Sequence, residues 1–398
     1  MTVAANSFGV DYEICDADQH YYEPVDCLTR HLEPQHQRIV KWATIGGRDT
    51  ILIHGKQWAS VPNPTYDPVA VPGVFEQYFR AENHAGTELR DMVVMQPLQP
   101  EYRNRDLRVQ RLDEQGVART WLIPSLGLAV EEMVQQDIES GMAIVRAYNR
   151  WLEEDWGYRR DERINTGPLL SLLDPELAEQ ELDRVMAIGT NMVILRAGPV
   201  PSPHALRRSP ADKVYDRIWA KLAEAGIVVA IHAGDSGTSK YLGDYGEPIG
   251  YQGSKMGPLT ELMGLSTDRP IYDMMAALIA HGLFDRHPAL KVATLELGSG
   301  WAVELHRKLR TSYGKTPQAY RRDPVESFRE HVWIAPFYED SIVRLRDCHG
   351  ADRILLGSDW PHPEGLARPI DWAGDFVELG PADMRKSLRD NFLQLTAA

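Results

Sequence analysis

Eight short apolar runs, separated by longer stretches with helical periodicity, constrain the fold of this chain more than any other feature. Most of the runs are continuously apolar rather than alternating, which is typical of strands that are covered on both faces. Between them, segments such as DPELAEQELDRVMAIG at 174–189 begin with an Asp N-cap and a Pro at the first helical position, and end near a Gly. The eight runs are residues 14–18, 117–123, 167–173, 192–195, 226–232, 290–296, 331–335 and 353–359.

The alternation of strands and helices predicts a parallel α/β architecture, and the count of eight favours a closed (β/α)8 TIM barrel over an open doubly wound sheet. Such barrels often exceed the usual length of one domain, so we predict a single domain over residues 1–398. The first two strands are separated by a long stretch rich in Pro and Asn, and we interpret residues 30–110 as an insertion that serves as a lid or a dimer arm. The Gly-rich segment 234–257, after the fifth strand, predicts an active-site loop.

Composition excludes several classes of partner. The formal net charge of −14 argues against nucleic acid, because binding to phosphates requires clustered Lys and Arg. The three cysteines form no CxxC pair, which indicates a reducing compartment. The first ten residues lack the features of a secretory signal, and no apolar stretch reaches bilayer length. We therefore expect a cytoplasmic protein that binds a small molecule and neither nucleic acid nor a membrane.

Polar side chains of metal-binding type follow several of the predicted strands. In a TIM barrel the reactive groups lie at the C-terminal strand ends, where this sequence places Asp18, His20, His232, Glu296 and Asp359. Asp18 and His20 are two residues apart on one strand and therefore share a face. A buried carboxylate is costly unless it is paired or bound to a metal, and two imidazoles with two carboxylates can hold Zn²⁺. Taken singly, Asp359 also fits a helix N-cap and His232 a core histidine, but their joint position favours a metal site.

Two more residues near strand ends are candidates for substrate binding. Arg196 follows the fourth strand, where its guanidinium could grip an anionic substrate or pair with a structural acid. His362 lies just past the eighth strand, where substrate contact and a role in the loop are both open.

The order and spacing of several motifs resemble the amidohydrolase-related family, in the branch that includes aminocarboxymuconate-semialdehyde decarboxylase. The motifs are DADQHYYEP, IHAG, HGLFDRHPALKVATLELGSGW, VWIAPFYED, LLGSDWPHPEG and LRDNFLQL. The resemblance covers the chain from residue 14 to the C-terminus except for the insertion. It implies a distorted (β/α)8 barrel and a homodimer, with one divalent metal ion, Zn²⁺ first and Mn²⁺ as the alternative. The implied ligands are Asp18, His20, His232 and Asp359.

The sequence departs from the family pattern at two positions. Asp18 replaces the first His of the common His-x-His motif, and Glu296 replaces the sixth-strand His of the decarboxylases. Two carboxylates give the metal more negative charge, so bound water should be less acidic than in a His-rich zinc site, where its pKa is about 7. A nearby base then becomes more useful. Neighbouring carboxylates raise the pKa of Glu296 and prepare it for proton transfer, although direct coordination of the metal is the alternative.

We predict a metal-dependent hydrolase that acts on a small carbonyl- or carboxylate-bearing molecule through a metal-activated water, with Asp359 or Glu296 transferring the proton. The alternative is a metal-dependent non-oxidative decarboxylase of an aromatic or unsaturated carboxylic acid. The missing sixth-strand His favours hydrolysis over decarboxylation. A non-catalytic barrel that binds a metal or a small molecule is the third hypothesis.

Overall fold

A computed structural model describes residues 8–58, 63–203, 206–238, 240–247, 258–265, 267–338 and 341–397. Seven barrel strands form two parallel sheets, one containing the first three and the other the next four. Their bounds are Ile14–Tyr21, Val117–Pro124, Ile164–Thr166, Met192–Arg196, Val228–His232, Lys291–Leu295 and Val332–Ile334.

Isolated parallel bridges close the two sheets into one ring. The first joins the third and fourth strands, and the other two place the eighth run between the seventh strand and the first. The bridges pair Leu169 with Ile194, Ile334 with Ile354 and Gln19 with Trp360. The closed ring of eight parallel segments confirms the predicted TIM barrel, which is distorted where the eighth segment pairs with each neighbour through an isolated bridge instead of a ladder.

The third strand lies earlier in the chain than predicted. Its ladder with the second strand ends at Thr166, whereas the apolar run begins at Gly167. Pro168 follows and has no N–H to donate, so the ladder cannot continue through it. The carbonyl of Pro168 still accepts a hydrogen bond from the N–H of Ile194 at 2.9 Å, which keeps this segment in the barrel wall.

Helices follow the strands around the barrel. The longer ones are Arg105–Gln115, Ile138–Asp155, Pro175–Ile188, Asp216–Glu224, Asp268–Ala280, Gly300–Lys315, Pro324–His331 and Ile342–His349. The shorter ones are Glu76–Phe79, Leu89–Met92, Val130–Val134, Lys240–Gly243, Pro258–Leu262, Leu283–Arg286, Ala373–Phe376, Gly380–Arg385, Lys386–Asp390 (a π-helix) and Asn391–Thr396.

The predicted helix after the third strand has the expected ends. The Asp174 carboxylate accepts hydrogen bonds from the N–H groups of Glu176 and Leu177, both at 2.9 Å, and Pro175 occupies the first turn. Gly189 ends the helix in the left-handed conformation, with φ 100°.

The insertion folds onto the mouth of the barrel. It contains an antiparallel sheet of Val40–Ile45, Arg48–Ile53 and Lys56–Gln57, and a second pair formed by Val69–Ala70 and Met95–Gln96. The N–H groups of Gly73 and Phe75 donate to the carbonyls of His362 and Pro363, at 3.3 and 2.8 Å. The insertion therefore contacts the loop after the eighth segment, and its function as a lid or a dimer arm stays a prediction.

Three other expectations can be compared with the structure. All three cysteines are free thiols. No helix in the described part of the chain combines the length and apolar character needed to cross a bilayer. Of the predicted active-site loop 234–257, residues 239 and 248–257 lie outside the described residues.

Candidate metal centre

The first barrel strand carries two adjacent candidate ligands. Every residue of Ile14–Tyr21 is buried, including Asp18 and His20. The pairing of this strand with the second strand shifts register between Asp16 and Gln19, so the chain bulges at this point. His20 Nε2 lies 3.2 Å from Asp18 Oδ1, and both side chains are almost fully inaccessible.

The fifth and sixth strands bring His232 and Glu296 to the same place. His232 ends its strand opposite Leu295, the residue before Glu296. Its Nδ1 donates to the Ala233 carbonyl at 2.8 Å, which leaves the Nε2 lone pair free for a ligand. This Nε2 lies 3.1 Å from Glu296 Oε2 and 3.4 Å from Asp18 Oδ1.

The eighth segment completes the cluster with Asp359 and His362. The Asp359 N–H donates to the Asp18 carbonyl at 2.8 Å, which fixes the two carboxylate-bearing segments side by side. Asp359 Oδ1 lies 3.0 Å from His20 Nε2 and 2.8 Å from His362 Nδ1. The His362 ring stacks on His20 with centroids 3.8 Å apart, and its Nε2 is hydrogen-bonded to Ser125 Oγ at 2.8 Å. His362 therefore belongs to the cluster itself.

Backbone strain is concentrated at two of these positions. Glu296 and Asp359 have φ values of 52° and 57°, a left-handed conformation that non-glycine residues adopt rarely. Such strain persists where the surrounding structure enforces it, and it is frequent at functional sites.

The facing donor atoms suit a metal ion. Asp18 Oδ1, His20 Nε2, His232 Nε2, His362 Nδ1 and both Asp359 oxygens are buried without a hydrogen-bond partner in the described structure. Unpaired polar atoms of this kind are costly, and a cation between them removes the cost. Two ligands about 2.1 Å from one ion, at tetrahedral or octahedral angles, lie about 3.0–3.4 Å apart. The contacts of 3.0, 3.2 and 3.4 Å among the predicted ligands have this spacing.

The electrostatics of the cluster couple its acids and bases. Although burial opposes ionisation, His232 and His20 hold the pKa of Asp18 below its ordinary value. His362 and His20 do the same for the pKa of Asp359. Burial lowers the pKa of His20, but Asp18 and Asp359 outweigh it and raise that pKa above the ordinary value.

Two further carboxyl groups are destabilised as anions. Burial, followed by the negative charges of Asp359, Glu364 and Asp18, raises the pKa of Glu296 well above its ordinary value. Burial and Asp359 also raise the pKa of Glu364. The excess of carboxylates over basic groups is the charge pattern that a bound divalent cation offsets.

Arg196 occupies the strand end next to His232, but its donors are already used. Its Nε donates to Glu131 at 2.6 Å, and one terminal nitrogen lies 3.2 Å from Glu132. The remaining N–H groups donate to the backbone carbonyls of Ala197, Pro199 and Asp235. Of the two roles that the sequence left open, the structure shows pairing with acids, and substrate contact stays a prediction.

Several residues of the site were not assigned from the sequence. Glu364 follows His362 by two positions in DWPHPEG, and Ser125 comes from the loop after the second strand. Asp16 precedes Asp18 by two residues in the first strand, a spacing that itself signals a shared face. Ser125 carried no such signal, because its partner His362 is 237 residues away in the chain.

A closed barrel with imidazoles and carboxylates at its C-terminal strand ends is the architecture of a metal-dependent enzyme. Residues 15–395 match the family described as amidohydrolase, and the chain belongs to that family. This confirms the resemblance to the amidohydrolase superfamily and its branch that were inferred from the motifs.

The similar proteins include another amidohydrolase and two decarboxylases. The crystal structure of an amidohydrolase from Mycobacterium avium subsp. paratuberculosis K-10 is 41% identical, covers 98% of this chain and 100% of its own, and gives a TM-score of 0.92. Gamma-resorcylate decarboxylase from Rhodococcus jostii (strain RHA1) is 24% identical over 303 residues, which are 72% of this chain and 85% of that protein. A dihydroxybenzoic acid decarboxylase from Polaromonas sp. JS666, with bound manganese and the inhibitor 2-nitroresorcinol, is 24% identical, with a TM-score of 0.57 over 73% of this chain and 85% of its own.

Proposed function

We propose that this protein is a metal-dependent, non-oxidative decarboxylase of an aromatic carboxylic acid. The observation that carries the proposal is the buried set of unpartnered imidazole and carboxylate atoms at the strand ends, in a chain whose named relatives include decarboxylases. The prediction of a hydrolase receives less support. It depended on the missing sixth-strand His, and Glu296 stands in that position within contact of His232, where a carboxyl group can also transfer a proton.

The metal would be held by Asp18, His20, His232 and Asp359. Bound there, a divalent ion would supply a Lewis acid beside the substrate carboxylate. Two carboxylates favour a harder ion than an all-imidazole site would, and the Polaromonas relative contains manganese, so we propose Mn²⁺ with Zn²⁺ as the alternative. Elemental analysis of protein purified without chelator separates the two.

The reaction requires one proton from the protein side. Loss of carbon dioxide leaves the bonding electron pair on the ring carbon, which takes up a proton, so that the arene carboxylate and one proton give the arene and carbon dioxide. Glu296 and Asp359 are the two candidate carboxyl groups for delivering this proton. The Glu296 side chain is 20% exposed and can exchange protons with solvent, whereas that of Asp359 is 1% exposed. We therefore assign proton delivery to Glu296, and ligand binding to Asp359.

The surroundings of the barrel mouth suit a planar ring. Phe337 and Tyr338 follow the seventh strand, and Tyr338 stacks on Trp372 with centroids 4.9 Å apart. The Tyr338 hydroxyl is buried without a hydrogen-bond partner in the described residues. Burial, followed by the negative charge of Asp359, raises the pKa of this hydroxyl. Aromatic walls with one unpaired hydroxyl fit a hydroxylated aromatic acid.

The proposal is tested by incubating the Mn²⁺-loaded protein with gamma-resorcylate and related hydroxybenzoates. We expect carbon dioxide and the matching phenol in equal amounts, with activity lost on chelation and restored by Mn²⁺. Glu296→Gln should keep the metal and lower the rate about 100-fold or more, since general acid catalysis contributes that much. If Glu296→Gln instead loses the metal, Glu296 is a ligand.

Hydrolysis remains the second candidate because Glu296 could also take a proton from water. Turnover of an ester or amide without release of carbon dioxide would restore it. Stoichiometric metal without any turnover would favour the non-catalytic barrel. The homodimer also stays a prediction, which light scattering during gel filtration tests directly.

A further inference from the structure

We propose that Asp16, a carboxylate outside the donor set, is the positioning residue that braces the two segments carrying Asp18 and Asp359. This role rests on the proposed metal centre, and it concerns how the centre is held rather than which reaction follows.

Both oxygens of Asp16 are fully engaged within the chain. The residue is 0% exposed. Oδ1 accepts hydrogen bonds from the N–H groups of Asp18 at 3.2 Å and Ser358 at 3.0 Å. Oδ2 accepts from Gln19 Nε2 at 3.0 Å and Ser358 Oγ at 2.6 Å. Asp16 therefore has no oxygen left for a metal, and it acts on the backbone that bears the ligands.

The hydrogen bonds of Asp16 lie where regular strand pairing is interrupted. The first strand shifts its register against the second between Asp16 and Gln19, and the eighth segment meets the first through a single bridge at Trp360. Pairing at this point is therefore irregular, and separate backbone hydrogen bonds rather than a continuous ladder join the two segments, from the N–H groups of Ala17, His20 and Asp359 to the carbonyls of Leu356, Trp360 and Asp18. Asp16 joins the N–H of Asp18 to the N–H of Ser358, the residue before Asp359, and so links two ligand positions through one carboxylate.

The same network reaches the ligand His20. Arg108 donates from one terminal nitrogen to Gln19 Oε1 at 3.3 Å and from the other to the His20 carbonyl at 2.6 Å. It is 0% exposed, and its guanidinium lies 4.6 Å from the centre of the Trp360 ring. A buried charge needs compensation: burial lowers the pKa of Arg108 to about 9, and the negative charge of Asp16 is among those that oppose this shift. Gln19 connects the two.

The alternative is that Asp16 merely stabilises the fold, and Glu23 provides a matched control. Glu23 is also a buried acid, two residues past the end of the first strand and 1% exposed. Its Oε1 accepts hydrogen bonds from Leu126 and Gly127 N–H and from the Tyr148 hydroxyl, so it contacts the second-strand loop rather than the ligand backbone.

The experiment compares Asp16→Asn and Glu23→Gln in the full chain. Mn²⁺ affinity is measured by calorimetry on chelator-treated protein, the Mn²⁺ spectrum by electron paramagnetic resonance, and metal-free stability by thermal melting. Both variants should have a lower melting temperature than the parent in the absence of metal. Only Asp16→Asn should weaken Mn²⁺ binding, by about 10–100-fold, and change the spectrum, because losses of this size follow loss of the groups that orient metal ligands.

An Mn²⁺ affinity of Asp16→Asn within twofold of the parent would overturn the proposal, as would an equal loss in Glu23→Gln. If Asp16→Asn does not fold, Ser358→Ala removes the hydrogen bond from Ser358 Oγ to Asp16, together with the one that this Oγ accepts from the Trp360 N–H. This variant should weaken Mn²⁺ binding about threefold or more, whereas unchanged affinity overturns the proposal. A parent that binds Mn²⁺ but releases no carbon dioxide would contradict the proposed function and leave this role intact. A parent without metal affinity would contradict both.

Discussion

His232 shows how single hydrogen bonds prepare the site. Its Nδ1–H donates a hydrogen bond to the Ala233 carbonyl, so the Nε2 lone pair faces oxygens of Asp18 and Glu296. These contacts are repulsive unless a cation or a proton lies between the atoms. His20 likewise places its Nε2 between carboxylate oxygens, 3.2 Å from Asp18 and 3.0 Å from Asp359. At the residue scale, the cluster is therefore incomplete in a specific way, and a divalent ion is the simplest group that completes it.

Asp359→Asn should remove most of the metal. The substitution replaces an anionic ligand with a neutral amide at the only predicted ligand of the eighth segment, so we expect stoichiometric Mn²⁺ or Zn²⁺ in the parent and little in the variant by elemental analysis. Asp371→Asn is the control, because Asp371 pairs with Arg368 at the surface. Full metal content in Asp359→Asn would remove this residue from the ligand set.

At the element scale, the insertion is docked by close backbone approach. Gly73 has φ +75°, and a Cβ at this position would lie 2.6 Å from the Ala367 nitrogen. Arg80, at the other end of the docked segment, makes a bidentate pair with Asp375 at 2.9 and 3.0 Å and lies 4.7 Å from the Tyr338 ring centre. These contacts fix residues 73–80 against the mouth of the barrel.

Gly73→Ala should therefore destabilise the protein more than Gly86→Ala. Both glycines have similar positive φ, +75° and +65°, but Gly86 has no atom within 4 Å of its added Cβ. Backbone strain is common to both variants and therefore cancels in their comparison. We expect the clash at Gly73 to lower the free energy of unfolding by a further amount of about 1–3 kcal/mol, the cost of overpacking, as measured by urea denaturation. Equal unfolding free energies in the two variants would mean that the insertion is not held at this point.

Across the whole molecule, stability should depend on pH through a buried histidine pair far from the metal centre. His306 Nε2 and His349 Nδ1 are 2.9 Å apart, and His349 Nε2 donates to the Val332 carbonyl. Burial, with the nearby positive charges, lowers the pKa of His306 to about 3 and that of His349 to about 4. Both rings are therefore neutral in the folded protein at pH values where they are protonated in the unfolded chain.

The sign follows from proton binding. Between pH about 6.5, the ordinary histidine pKa, and pH about 4, the unfolded state binds more protons, so the free energy of unfolding falls as the pH falls. Each histidine contributes roughly 1 kcal/mol per pH unit in this window. His306→Gln should show a shallower dependence by urea denaturation from pH 7.5 to 5, and the exposed His84→Gln should not. Parallel curves for parent and His306→Gln would contradict this account.

Much of the barrel was predictable because its signals are local. Continuous apolar runs marked every barrel segment except the third, and Asp174, Pro175 and Gly189 marked one helix at both ends. The third strand was misplaced because one Pro168 interrupts a ladder whose partner is distant in sequence. Similarly, the strand-end positions of His232 and Asp359 could be read from the sequence, whereas their mutual distances could not.

By itself, the sequence determined which residues stand at the strand ends, since burial periodicity and helix caps act over a few neighbouring residues. Only the tertiary structure decided that His362 enters the cluster, that Arg196 pairs with Glu131 and Glu132, and that Asp16 braces the eighth segment. The physical reason is chain separation. Asp16 and Ser358 are 342 residues apart, and their hydrogen bond exists only because closure of the barrel brings the two ends of the chain together.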